Sequence, residues 1–97
     1  MKLTINDKDF EFRCAGFGAQ YIYETLTGEV FSGASTRNIH LLMYSTLMAS
    51  NGEAFSMGIA EFTEWLYEHP LEEEQMANAI FAEATRRHAL REPKKKE

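Results

Sequence analysis

Cysteine, positive charge and long apolar runs are scarce in this sequence, and what is missing excludes several classes of protein. Cys14 is the single cysteine in 97 residues, which excludes an internal disulfide and makes a reducing, intracellular setting the default. No run approaches the ~20 apolar residues of a membrane-spanning helix, and the opening residues MKLTINDKDF hold no apolar stretch long enough for a signal peptide. With 44% hydrophobic and 12% aromatic residues, the chain is typical of one small globular domain.

Positive charge is absent from the middle of the chain. No lysine or arginine lies between Arg37 and Arg86, whereas eight glutamates do, within a net charge of −5. Such an acidic body argues against a broad phosphate-binding face. One alternative function stays open, a small nucleic-acid-binding regulator that uses the basic C-terminal segment, although the acidic stretch before this segment argues against it. Its basic residues are Arg86, Arg87, Arg91, Lys94, Lys95 and Lys96.

Residues that could carry catalysis or hold a cofactor do not form a known motif. Gly16 and Gly18 begin a G-x-G pattern, but the bulky Tyr21 replaces the third glycine of a dinucleotide-binding loop. We therefore interpret the two glycines as a joint that permits a tight turn and a close approach of the following helix to the hairpin. We expect no catalytic residue, no metal, no cofactor and no enzymatic activity. The histidines lie far apart, without a second histidine or cysteine at helical i+4 spacing, at His40, His69 and His88.

Two short segments near the N-terminus alternate between apolar and polar side chains. Residues 2–6 read KLTIN and residues 10–14 read FEFRC, and a period of two is the pattern of strands with one apolar face. The residues NDKD between them are typical of a turn. The sequence thus predicts a β-hairpin over residues 2–14, with Cys14 buried in the core beside Phe12. Helices must cover the apolar face, since a lone hairpin is marginally stable.

Helical spacing of apolar residues dominates the rest of the chain. It predicts four helices, over about 17–27, 36–50, 57–68 and 70–91. The fold class is therefore α+β, an N-terminal antiparallel β-hairpin packed on a bundle of about four α-helices. We expect one globular domain over residues 1–91 and a charged, flexible tail over 92–97.

The ends and faces of these helices follow from particular residues. Gly28 is placed to cap the first helix, Ser35 or Thr36 to begin the second, and Ser56 to begin the third. Pro70 suits the first turn of the fourth helix. The second helix is apolar nearly all round, so we expect it to be central. The predicted inward stripes are Phe17, Tyr21, Ile22 and Leu26 on the first helix, and Met76, Ile80, Ala84 and His88 on the fourth.

Apolar residues near helix ends and loops are numerous for so small a body. Aromatic residues and methionine are enriched at binding surfaces, but a small helical domain also packs aromatic rings to fill a thin core. Because no catalytic motif is present, we favour binding. The glutamates of the third helix are expected to form a solvated face or, alternatively, an acidic docking surface for a basic partner. The predicted partner-binding residues, which we expect to be exposed, are Val30, Phe31, Phe55, Met57, Trp65 and Tyr67.

The order of these elements resembles a known family. The hairpin sequence MKLTINDKDFEFR is followed by a helix that ends in YETLTG, then by an all-helical remainder and a charged C-terminal tail. This order is similar to that of the tail assembly chaperones of long-tailed bacteriophages and prophages, which often open with such a hairpin and helix. The match is best over residues 1–31, and over residues 32–97 it extends only to the number and length of the helices.

The resemblance implies a non-enzymatic protein in the cytoplasm of a bacterial host cell. Such a chaperone would bind the long, helical, apolar tape measure protein, with the tail tube protein as a second candidate partner. Many members self-associate, so a homo-oligomer is expected, whereas a membrane or nucleic-acid partner is not. The family often makes a longer form by ribosomal frameshifting, and lysine codons in PKKKE at 93–97 could form a slippery run, although a lysine-rich end is equally a solubilising tail.

Overall fold

A computed structural model describes residues 1–32 and 35–92 of the chain. Two antiparallel strands come first, β1 (Lys2–Ile5) and β2 (Lys8–Glu11). The helices α1, α2, α3 and α4 span Gly18–Thr27, Thr36–Asn51, Ile59–Glu68 and Pro70–Arg91, with a short 3-10 turn over Gly52–Ala54. The predicted α+β fold is confirmed, and each helix begins and ends within two residues of its predicted bounds. The predicted tail lies outside the described residues from position 93 onward.

The hairpin turn is tighter than the sequence pattern predicted. Asn6 and Asp7 alone connect the strands, with positive φ angles of 51° and 68°. Two successive residues of this left-handed conformation form the preferred two-residue hairpin turn, and asparagine and aspartate tolerate it better than most residues. β2 therefore begins at Lys8 and ends at Glu11. The predictions of a four-residue turn and of a strand over 10–14 were wrong.

The chain that follows β2 is held by the end of α2. The Asn51 side chain accepts a hydrogen bond from the Glu11 N–H at 3.0 Å and donates one to the Glu11 carbonyl oxygen at 2.8 Å. Phe12 is buried as predicted, but Cys14 is only half-buried, which corrects its predicted place in the core. These side-chain bonds fix the hairpin on the helices, and the half-buried thiol is left beside an open groove.

Helix ends agree with the sequence where one residue can supply the cap. Gly28 ends α1 with φ of 73° and donates its N–H to the Glu24 carbonyl oxygen at 2.7 Å. The Ser35 hydroxyl begins α2 by accepting the Asn38 N–H at 3.1 Å. Both are the caps that the sequence predicted, since glycine tolerates a left-handed φ and serine can satisfy a free N–H.

The start of α3 was predicted wrongly. Ser56 does not cap it, and α3 begins after Gly58. The Tyr44 hydroxyl donates to the Met57 carbonyl oxygen at 2.7 Å, and Phe55 is buried in the core. These two tertiary contacts keep the segment before Gly58 outside the helix, so α3 begins two residues late.

α2 is the central element, as its apolar sequence predicted. It contacts α1, β2, α3 and α4. Its buried side chains join those of the hairpin, α3 and α4 in one hydrophobic core. The fully buried members on the helices include Met43, Leu47, Phe62, Leu66 and Met76.

The two glycines at the start of α1 permit a close approach of α1 to α2 and not to the hairpin. Gly16 has φ of 94°, which makes the predicted tight turn possible. A Cβ at Gly18 would lie 3.4 Å from the Cβ of Ala49 on α2. The close approach that the sequence predicted is therefore between α1 and α2, and not between α1 and the hairpin.

α4 packs on the body with its first half and extends beyond it with its second half. Met76 and Ile80 are buried, but Ala84 and His88, which were predicted on the same inward stripe, are exposed. α4 has 22 residues and is longer than the other helices, so they cannot cover all of it. The molecule is accordingly elongated, at 53 × 27 × 24 Å.

Candidate binding surfaces

α1 exposes apolar side chains that the sequence pattern placed in the core. Tyr21 is 65% exposed, and Phe17 and Leu26 are half exposed. Val30, just after the helix, is 79% exposed. Tyr23, which was not in the predicted stripe, is the fully buried residue of α1. We call Phe17, Tyr21, Leu26 and Val30 the α1 surface.

Packing on the body decides which side of α1 is buried. Tyr23 meets Phe31 edge to face, with ring centres 5.4 Å apart, and this pair orients the helix. Ile22 is left half-buried at the margin. Because apolar side chains lie on both sides of α1, the helix has one apolar side more than the core can use. That excess is the signal in the sequence that could have revealed the exposed apolar side chains.

Two aromatic rings of the α1 surface already stack on each other in the isolated chain. Phe17 and Tyr21 are four residues apart and stack, with ring centres 6.0 Å apart and ring planes 17° from parallel. The guanidinium carbon of Arg87, on α4, lies 4.7 Å from the centre of the Phe17 ring. This cation–π contact holds the outer half of α4 against the start of α1.

A groove runs between α1 and the second half of α4. Its volume is about 170 Å³. Cys14 contributes a thiol and Thr46 a hydroxyl, and the rim carries Glu83, Arg87 and Arg91. We call it the α1/α4 groove. Its apolar lining is Ala19, Phe31, Leu42, Ile80 and Ala84.

The charges around the α1/α4 groove favour an acidic ligand over a basic one. Arg86 donates to both carboxylate oxygens of Glu83, at 3.0 and 2.7 Å, and this bond lowers the pKa of Glu83. Glu83 is thereby compensated, and Arg87 and Arg91 leave the rim positive. Burial raises the pKa of the Cys14 thiol, and the nearby Glu83 charge raises it further. Cys14 is therefore a protonated, weakly nucleophilic thiol near neutral pH.

The six residues predicted to bind a partner do not share one surface. Val30 is highly exposed, and Phe31 and Met57 are half-buried. Phe55 and Trp65 are only 4% and 6% exposed, so the expectation that they are exposed was wrong. Rings pack around both of them, because a core this thin is filled largely by aromatic side chains. Phe55 meets Phe10, Tyr44 and Phe62, and Trp65 stacks on Phe62 and His69.

Tyr67 is the most exposed of the six, at 90%. It lines a shallow concavity on α3 together with Glu64 and Glu68. We call these three residues the Tyr67 patch. The glutamates are exposed, as the sequence predicted, and the patch presents an aromatic ring beside two carboxylates.

The histidines are engaged with neighbouring groups. His40 Nε2 contacts the Glu73 carboxylate, which joins α2 to α4. The Nδ1–H of His69 donates to the Trp65 carbonyl oxygen at 2.7 Å, and His88 lies 3.2 Å from Glu92. Over residues 1–32 and 35–92, no group of three His, Cys, Asp or Glu side chains could hold a metal ion.

Comparison with known proteins gives no match from which a function could be transferred. None of the helices in the described part of the chain has the length and apolar character needed to cross a membrane. The chain matches no protein-family model, no curated protein and no solved structure.

Proposed function

We propose that this protein is a non-enzymatic binding protein, a phage tail assembly chaperone that holds the apolar tape measure protein while tail tube subunits assemble around it. One observation carries the proposal. Within residues 17–30, four large apolar side chains are half or more exposed, although the core had room for only one side of α1.

The α1 surface has the chemistry of a site that covers an apolar helix. Exposed apolar side chains that cluster on one element mark interaction surfaces more often than isolated ones do. The Phe17–Tyr21 stack is already formed, so little side-chain freedom would be lost on binding. A partner helix that lays its apolar face along α1 would use the common helix-docking mode of recognition. No covalent step is required.

The same part of the chain carries the family resemblance. The similarity to tail assembly chaperones is best over residues 1–31, and the α1 surface lies wholly within that range. The resemblance supplies the name of the partner, and the exposed apolar side chains supply a physical reason for binding it.

Co-expression in bacteria with the tape measure protein of the same gene cluster tests the proposal. The measured quantities are the soluble fraction of the tape measure protein and the amount that co-purifies. The double variant Tyr21→Ser/Val30→Ser should lower co-purification about tenfold, because two exposed apolar contacts are lost. Leu71→Ser/Leu90→Ser is the matched control, since these two side chains are also exposed, at 62% and 71%, but lie on α4.

Two results would overturn the proposal. The wild-type chain could leave the tape measure protein insoluble, or the double variant could hold it as well as the wild type does. Salt-dependent binding of the isolated chain to DNA or RNA would instead favour the nucleic-acid-binding regulator.

A further inference from the structure

The Tyr67 ring and the α1/α4 groove match in size. An apolar cavity of about 150 Å³ accommodates a benzene molecule, so the groove, at about 170 Å³, can take one aromatic ring. Tyr67 offers such a ring almost free of contacts with its own chain. The ring would lie on apolar side chains, and Thr46 and Gln20 in the groove lining could pair with its hydroxyl.

The two surfaces are also complementary in charge. Glu64 and Glu68 lie beside the ring, in a stretch of the sequence that has no lysine or arginine between positions 37 and 86. The rim of the groove carries Arg87 and Arg91, whereas its carboxylate, Glu83, is bound by Arg86. An aromatic ring beside two carboxylates therefore meets a groove with two guanidinium groups, of which Arg87 also packs on the Phe17 ring.

One molecule cannot make this contact with itself. Tyr67 precedes the first residue of α4, Pro70, whereas the rim of the groove includes Arg87. At 1.5 Å per residue, the helix between Pro70 and Arg87 spans about 26 Å. Acidic and basic surfaces thus lie towards opposite ends of an elongated molecule, an arrangement that orients two copies end to end.

We propose that this chain associates head to tail, with Tyr67 of one copy in the α1/α4 groove of the next and Glu64 and Glu68 facing Arg87 and Arg91. The two surfaces differ, so the interface is heterologous and leads to a ring or an open row of copies. Tyr21, Leu26 and Val30 do not line the groove and stay available to another partner. The proposal goes beyond the proposed function and holds whether or not the partner is a tape measure protein.

Sedimentation velocity of the full chain, from micromolar to near-millimolar concentration, tests this association. The wild type should form larger species with rising concentration and lose them at high salt. Tyr67→Ala should weaken association about tenfold or more, because the ring is the buried anchor, and Tyr67→Phe should keep it. Arg87→Glu/Arg91→Glu should abolish association, and circular dichroism checks that this variant folds. If it does not fold, Arg91→Glu alone replaces it.

Mixing the two kinds of variant gives the sharpest result. Tyr67→Ala keeps an intact groove, and Arg87→Glu/Arg91→Glu keeps an intact Tyr67 patch. At a concentration where each alone is monomeric, an equimolar mixture should form a dimer and nothing larger. Cys14, the only thiol, reports occupancy of the groove independently, because its reaction with a thiol reagent should slow as the wild type associates.

Matched controls separate this interface from the α1 surface and from net charge. Tyr21→Ala removes an equivalent exposed ring and should leave self-association unchanged. Arg37→Glu changes one charge on α2 and should also leave it unchanged. A wild-type chain that stays monomeric throughout, or a Tyr67→Ala chain that associates as the wild type does, overturns the proposal. Either result leaves the co-expression experiment unaffected.

Discussion

α1 and α3 are both ten-residue helices with apolar and polar sides, yet they use their apolar side chains differently. α3 buries Phe62, Trp65 and Leu66 and turns glutamates to solvent. α1 buries Tyr23 and leaves Phe17, Tyr21 and Leu26 half or more exposed. Helices with similar apolar content therefore contribute unequally to the core.

The difference distinguishes apolar side chains that stabilise the fold from exposed apolar side chains that do not. Side chains of α3 complete the core beside α2, so replacing them should cost stability. Side chains of the α1 surface contribute little to folding, so replacing them should cost binding instead. Exposed apolar groups add little stability and promote association. Their presence on α1 is explained by a partner that covers them.

Trp65→Ala should have the largest effect on stability. The indole is 6% exposed and stacks on the rings of Phe62 and His69, with centres 6.3 and 4.2 Å away. Its removal should lower the free energy of unfolding by about 3–5 kcal/mol, measured by urea denaturation. Tyr67→Ala is the control from the same helix and should change it by less than about 0.5 kcal/mol. A small loss for Trp65→Ala would contradict the assignment of α3 to the core.

Gly28→Ala should have an intermediate effect, at the end of α1. Gly28 has φ of 73°, which a residue with a Cβ adopts at a cost of about 1–2 kcal/mol. Gly58→Ala is the matched control, because Gly58 has φ of −74° and a Cβ there would meet nothing within 4 Å among the described residues. Thermal unfolding of both variants measures the difference. If the two variants unfold at the same temperature, the left-handed conformation of Gly28 does not contribute to the stability of the fold.

Tyr21→Ser should barely change stability, by less than about 0.5 kcal/mol. The ring is 65% exposed and loses only its stack on Phe17. Binding of an apolar fluorescent dye should fall with this variant more than with Tyr67→Ser, if the α1 surface is the larger apolar region. A clear loss of stability in urea would instead place Tyr21 in the core.

The pH dependence at Cys14 should be the smallest effect. Burial raises the pKa of this thiol above its ordinary value of 9.0, so the unfolded chain loses the proton first as the pH rises. The contribution to stability is complete below pH 9.0 and is lost as the pH rises through the folded-state pKa. The urea concentration at the midpoint of unfolding should fall less with rising pH for Cys14→Ser than for the wild type. Identical pH profiles would contradict the burial of the thiol.

Local signals made much of the fold predictable. Period-two alternation located the hairpin, and Gly28, Ser35 and Pro70 located helix ends to within two residues. The bounds of the turn and of β2 were missed because the local two-residue turn at Asn6 and Asp7 was not recognised. The start of α3 was missed because a tertiary contact competed with a local signal. Met57 is bound by Tyr44 from α2, so α3 begins at Ile59 and Ser56 is not its cap.

The candidate surfaces were predicted less well. Val30 and Tyr67 are exposed as expected, but Phe55 and Trp65 fill the core, and Phe17 and Tyr21 were assigned to the wrong side of α1. Residue type alone does not tell a buried ring from an exposed one. In a thin core, each aromatic side chain competes for the same few positions.

The sequence by itself determined the hairpin, the four helices and their order, because turns, caps and periodicity act between residues close together in the chain. It also determined the separation of acidic and basic charge. Only the tertiary structure decided which side of α1 is buried and that Cys14 lies beside a groove. Those choices depend on which side chains reach the central helix α2 and fill the limited space around it.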